Sequence, residues 1–248
     1  MIDIRNYHLE NLLTDEVRHL VPEKVRRIII PCGALEAHGS IGLGTDTIIP
    51  AGFADELATR LNALIAPAIP FGTLRTLKRY PGSVGLSPKL YLELLKEVCT
   101  GLLNTGFDEF LLLNGHAGNT ATLKETAYWL HTEYGVFALA YDWYHEPDQL
   151  AVDIYGGGGG HSAAAETGLV LAFRPEAAPA GLWKREDAGV PKSSVAAYPA
   201  PYPIMLMEED AGLPDFDQKK AKNFAAGATE NAAQSLLEVL GRWEKLHR

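Results

Sequence analysis

The sequence predicts an α/β fold, a three-layer α/β/α sandwich built on a mainly parallel central sheet. Three observations carry this. Apolar runs at about 26–32, 64–71, 109–113 and 136–141 are continuous rather than alternating, as strands buried on both faces are. Helical stretches separate them, which is the alternation of βαβ units. The polar segments that hold histidines follow directly on two of the runs, and parallel sheets place their sites at the carboxyl ends of strands.

Taken in order, residues 15–21 carry Val17, Leu20 and Val21 at helical spacing, with Thr14 or Asp15 available as a cap. Strand one covers about 26–32, and a glycine-rich loop runs from Gly33 to Asp46. A helix is expected from Pro50, where the missing N–H of a first-turn proline costs nothing, to about Ala63. Strand two, 64–71, contains Pro67 and Pro70, so it is expected at a sheet edge or to end early. The connection 72–88 holds a turn signal at Tyr80-Pro81-Gly82-Ser83, and loops of that length tend to be functional. An amphipathic helix from Pro88 to about Thr105 leads to strand three, 109–113, then a helix to about Tyr134 and strand four. Gly156 to Gly160 reads as a linker or, preferably, as backbone packed closely at a site, because His161 follows at once. A short apolar helix is expected over 161–173. Residues 174–215 show no clear periodicity and suit a lid or an inter-subunit arm. The last helix, about 217–246, is amphipathic and is expected to pack across the sheet. No repeat or boundary divides residues 1–248, which read as one domain.

Composition narrows the function. With 31 acidic against 22 basic residues the net charge is −9, and no Lys/Arg cluster is interleaved with aromatics, which argues against a nucleic-acid partner. No apolar run is long enough to span a bilayer. The first residues lack a signal peptide's basic start and apolar core, and Cys32 and Cys99 read as buried free thiols. These point to the cytoplasm.

Three clusters carry chemistry. Glu36 and His38, two apart in an extended segment, point the same way, and Asp46 returns after a loop of glycines. A carboxylate, an imidazole and a second carboxylate suit zinc, manganese or iron, and Asp46 has two oxygens with which to bridge two ions. A hydrogen-bonded polar loop is the bland alternative. In the second cluster, Asn114-Gly115-His116-Ala117-Gly118-Asn119, the glycines let the chain turn from strand to helix, so that His116 projects above the sheet. A lone loop histidine is usually just solvated. This one follows the strand expected beside strand one, which favours a ligand. The third cluster is His161 with Glu166. On a helix these would diverge by about 140°, so they are not equivalent ligands from one face. Glu166 is the only acid in an otherwise apolar stretch and needs an ion or a partner.

As a set these residues resemble the creatininase (creatinine amidohydrolase) family. The resemblance runs through Gly33-Ala34-Leu35-Glu36-Ala37-His38-Gly39 to Thr45-Asp46, Pro81-Gly82-Ser83, the Asn114–Asn119 cluster and His161 to Glu166-Thr167. It implies an α/β/α sandwich, a centre of two divalent ions, cleavage of non-peptide amide bonds and a homo-oligomer, often a hexamer. By position, Glu36 and His116 would hold one ion, His38 and Glu166 the other, with Asp46 between them and His161 catalytic or substrate-orienting. Two departures stand out. The segment Ser40-Ile41-Gly42-Leu43-Gly44 is one residue shorter than the family's and lacks its second histidine. Ala117-Gly118 stands where creatinine-specific members carry an aromatic residue and a glutamate, which argues against creatinine as substrate.

The expected activity is a metal-dependent amidohydrolase acting on a cyclic amide or formamide through a metal-activated water. His161 would stabilise the intermediate or pass a proton, and Ser83 with the backbone at Gly82 would hold the substrate. A dinuclear phosphoester hydrolase, for which Arg75, Lys78 and Arg79 leave room, and a non-catalytic scaffold are the alternatives.

Overall fold

The computed structural model describes residues 6–146, 148–157 and 159–246. Its central sheet has four parallel strands in the order β2-β1-β3-β4, with β1 Arg27–Cys32, β2 Ala63–Ile65, β3 Glu109–Asn114 and β4 Phe137–Asp142. Side chains alternate across it. Ile28, Ile30, Cys32, Phe110 and Leu112 face α1 (Thr14–Leu20), α3 (Pro88–Thr105) and α4 (Thr120–Tyr134). Ile29, Ile65, Leu111 and Leu113 face α2 (Thr45–Leu61), α5 (Asp148–Tyr155), α6 (Ala164–Phe173) and α7 (Gln218–Leu246). This is the expected three-layer sandwich. Each fully buried Ile or Leu contributes about 1.5–3 kcal/mol by leaving water, so the strand ends rest on a rigid base.

Register matters most for the site. Cys32 pairs with Asn114, and Asn114 with Asp142. Strands β1, β3 and β4 therefore end level, and their loops emerge side by side.

Four expectations need correction or detail. Helix α2 starts at Thr45 rather than Pro50. The amide missing from Pro50 leaves the Asp46 carbonyl without its partner four residues on, and Gly115 packs there instead: a Cβ at Gly115 would lie 1.9 Å from that oxygen. Asp46 thus sits in a helix first turn, where the dipole favours a carboxylate. Strand β2 is only three residues long and lies at the sheet edge, ended by Pro67. His161 is not in a helix but in a two-residue strand, β5 Gly160–His161, and α6 begins at Ala164. Part of 174–215 folds as β6 Ala188–Gly189 and β7 Ile204–Leu206, which join β5 in a second sheet of order β5-β7-β6. Strands of two or three residues are too short to leave a readable period.

The glycine tract packs closely at Gly159 and Gly160, against Met207 and Met205; Gly158 lies outside the described residues. Helix α7 lies on α2, α5 and α6, with Trp243 against Phe137 of β4 at 4.9 Å between ring centres. Cys32 and Cys99 are buried and free, and burial pushes both thiols up to about 12.

Candidate metal centre

Three segments converge above the strand ends. The first is the loop after β1. It doubles back on itself, with the Glu36 amide donating to the Leu43 carbonyl and the Ile41 amide to the His38 carbonyl. The shortened segment thus closes as a tight turn. The second follows β3, where the His116 amide donates to the Asn114 side-chain oxygen at 3.0 Å. The third is β5 with the first turn of α6. There the Ser162 amide donates to Glu166 Oε2 at 2.6 Å.

The convergence includes six of the residues singled out from sequence. Glu36, His38 and His161 form one group of potential ligands, Glu36, Asp46 and His116 a second, and His38, Asp46 and Glu166 a third; within each, the ligand atoms lie within 4.8 Å of one another. Asp46 Oδ1 is 3.1 Å from His38 Nε2, and its Oδ2 is 3.0 Å from His116 Nδ1. Its two oxygens thus face two different histidines. Glu36 Oε2 lies 3.4 Å from His116 Nδ1, and Glu166 Oε2 lies 3.6 Å from His38 Nε2. Ser83 and Gly82 stand one step away. The Ala37 amide donates to Ser83 Oγ at 2.9 Å, and Gly82 packs against Leu43.

All three imidazoles are oriented by backbone carbonyls. His38 Nδ1 donates to Glu36 O at 2.9 Å, His116 Nε2 to Thr73 O at 2.8 Å and His161 Nε2 to Ala37 O at 2.8 Å. A neutral imidazole has one N–H, so the other nitrogen of each ring is left as a lone pair. Those nitrogens aim at carboxylate oxygens, which also carry only lone pairs. His38 Nε2 and Asp46 Oδ2 are buried and make no hydrogen bond. Lone pairs gathered in this way need a cation between them, and histidine ligands of metals are typically held by such carbonyl acceptors. The donor set, three imidazoles and three carboxylates, suits zinc, manganese or iron.

Without an ion, protons supply the missing charge. Burial pushes His38 down, but Asp46 and then Glu166 outweigh it and bring it up to about 10. Burial is likewise outweighed by Asp46 and Glu36 at His116, which rises to about 9. Burial and the His38 charge lower His161 to about 3, so its imidazole is neutral. Burial raises Glu166 to about 7 and also raises Glu36, whereas the two imidazolium charges outweigh burial and hold Asp46 below the usual carboxylate range.

Sequence reasoning missed the supports. Asn119 is fully buried, donates to Gly33 O at 2.9 Å and accepts the Thr73 amide at 2.9 Å, tying three loops together. A Cβ at Gly118 would lie 2.4 Å from His116 Nε2 and 2.6 Å from Thr73 O. Glycine there keeps the His116 bond intact. Asp142, at the end of β4, accepts from Asn114 Nδ2 at 2.6 Å. Ser162 is buried in the left-handed region, at φ 58°. Its hydroxyl donates to the His38 carbonyl and meets Ser40 Oγ at 3.0 Å. The only signal for it was its place between His161 and Glu166. Ser162→Ala is expected to lower stability by about 0.5–1.5 kcal/mol, the net worth of one buried hydrogen bond, because the His38 carbonyl keeps the Ile41 amide as a donor. Ser162→Gly should lose roughly 1 kcal/mol less, because glycine is unstrained at this φ. Urea unfolding of both variants checks the order.

Fold and site together define a class: a parallel α/β/α protein with a histidine–carboxylate cradle for metal at the carboxyl edge of its sheet. The chain belongs to the creatininase family, whose model, described as creatinine amidohydrolase, matches residues 10–239. It is 26% identical over 168 residues to a creatinine amidohydrolase of Pseudomonas putida, covering 60% of this chain and 65% of that one. It is 29% identical over 124 residues to a mycofactocin precursor peptide peptidase of Mycobacterium tuberculosis, covering 46% and 49%. The chain thus spans less than two thirds of the length of these curated relatives. Among solved structures, a mutant creatininase of the Zn–Zn type superposes with a TM-score of 0.81 at 18% identity, covering 95% of this chain and 98% of that one. That likeness establishes the shared fold.

Proposed function

We propose that this protein is a metal-dependent amidohydrolase that cleaves a non-peptide C–N bond, a cyclic amide or formamide, of a small molecule. One observation carries the proposal: three imidazoles, each held by a backbone carbonyl, turn bare nitrogens toward three carboxylates. In this reading Glu36 and His116 hold one divalent ion, His38 and Glu166 a second, and Asp46 reaches both. Zinc and manganese, which the names of similar creatininase structures carry, and iron are the candidates. Such ions, when bound, supply Lewis-acid charge and a nucleophile made from water at neutral pH.

The chain's own groups do the rest. His161 stays neutral and can accept a hydrogen bond or a proton at Nδ1, because its Nε2–H is committed to Ala37 O. Glu166, a ligand of the second ion in this reading, would be held there as a carboxylate, and its Oε2 also accepts the Ser162 amide at 2.6 Å. Ser83 and the backbone at Gly82 sit beside the first loop and border the substrate. Residues 1–248 act as one hydrolase domain, in the cytoplasm and as a homo-oligomer, for which a hexamer is the candidate state.

The test is metal analysis joined to a substrate panel. Stripped and reloaded protein is expected to hold two ions per chain and to hydrolyse a formamide or lactam. Fewer than one ion per chain, unchanged in His38→Ala, would sink the metal assignment. Turnover of phosphoesters alone would move the reading to a dinuclear phosphoesterase. Creatinine belongs in the panel as the compound that Ala117-Gly118 argues against.

A further inference from the structure

We infer that the substrate carries an anionic group, a carboxylate or a phosphate, and that Arg75, Lys78 and Arg79 receive it at the rim of the metal centre. The inference rests on the hydrolase reading for the bond that is cleaved, and on separate observations for the charge.

Loop 72–87 is built into the site. At one end the Thr73 carbonyl takes the His116 N–H, and the Thr73 amide is held by Asn119. At the other, Ser83 Oγ takes the Ala37 amide, and the Val84 amide donates to Leu35 O. The middle is anchored too, with Tyr80 OH donating to Ala200 O at 2.8 Å and the Ala200 amide to Thr76 O at 2.9 Å. Arg75 follows Thr73 by two residues, at most about 7 Å of extended chain. The loop is therefore a fixed platform whose ends touch the groups that position His116 and the first loop.

Its charge is anomalous for this chain. The protein carries a net charge of −9, yet no Asp or Glu occurs between Glu56 and Glu93. Arg75, Lys78 and Arg79 are all exposed. Every other arginine among the described residues, seven in all, lies 3.9 Å or less from a carboxylate. Arg75 and Arg79 have no such pair among the described residues, and they stand four residues apart on this loop. Elsewhere the acidic surface repels a small anion, so a local cationic rim is what would draw one to the site. Guanidinium groups are suited to it, since their forked donors match carboxylate and phosphate oxygens.

The experiment titrates inorganic phosphate and, separately, succinate into metal-loaded wild type, the Arg75→Ala/Arg79→Ala variant and Arg60→Ala, whose arginine pairs with Glu230 at the other end of α2. Calorimetry is expected to show an anion bound by wild type and by Arg60→Ala, and bound about tenfold more weakly by the double variant, with metal content unchanged. The tighter of the two anions identifies the group. Equal affinity in wild type and double variant, or no binding of either anion to wild type, overturns the inference. With a turned-over substrate in hand, the double variant should raise KM and leave kcat, as loss of uniform binding does. The two readings fail separately. A protein that takes up no metal but loses anion binding in the variant keeps the platform and loses the hydrolase. One that hydrolyses amides while the variant binds anions normally does the reverse.

Discussion

Asp46→Asn is expected to bring metal content below one ion per chain and to lower amide hydrolysis by about 10³-fold or more, the several kcal/mol that metal-held charge supplies. Asp46 is 1% exposed, and its two oxygens face His38 and His116 at 3.1 and 3.0 Å. Asparagine has the same shape but no charge, and its NH₂ presents hydrogens to one of two nitrogens that need an ion. No neighbour can replace it, because Glu36 approaches only His116 and His161, and Glu166 only His38. Elemental analysis with circular dichroism checks the claim. A folded variant that keeps two ions would remove Asp46 from the centre.

Metal loading is expected to expel about two protons per chain at pH 7.5, and the overall affinity should rise about 100-fold per pH unit between roughly pH 7 and 9. The sign follows from the raised values. His38 at about 10 and His116 at about 9 are protonated in the apoprotein at pH 7.5, and both must lose their protons to offer lone pairs. Above about pH 10 nothing remains to be displaced, so the dependence flattens. Below pH 7, Glu166 at about 7 adds a third proton and steepens the fall. For the apoprotein itself, stability from these imidazolium–carboxylate pairs is present in full below the ordinary histidine value of 6.5 and is lost as pH rises through 9 to 10. Calorimetry in buffers of different ionisation enthalpy counts the protons. Loading without proton release would mean that the imidazoles are neutral before the ion arrives. In Asp46→Asn the release should shrink, since the charge that raises both histidines is gone.

The parallel sheet was legible because its strands are buried on both faces and so read as unbroken apolar runs. Glu36, His38, Asp46, His116, His161 and Glu166 stood out for a related reason. They are polar groups at strand ends or within apolar sequence, where packing alone does not account for them. The helix start at Thr45 was not legible, because Pro50 resembles a first-turn residue. What accommodates it inside α2 is Gly115, from another strand end. The second sheet escaped for want of length, and with it the strand conformation of His161.

Sequence by itself determined the class of fold, the family and the set of side chains able to hold metal, since these depend on residue type and on spacing along the chain. Only the tertiary structure decided which nitrogen of each histidine is free. That choice belongs to Glu36 O, Thr73 O and Ala37 O, backbone carbonyls whose positions come from the packing of loops. It also decided that Ser162 and Asn119 hold those loops together, and that Arg75 and Arg79 are exposed on a loop whose two ends are tied to the His116 and Ala37 segments. A carbonyl is the same in every residue, so nothing along the chain marks the ones that orient a ligand.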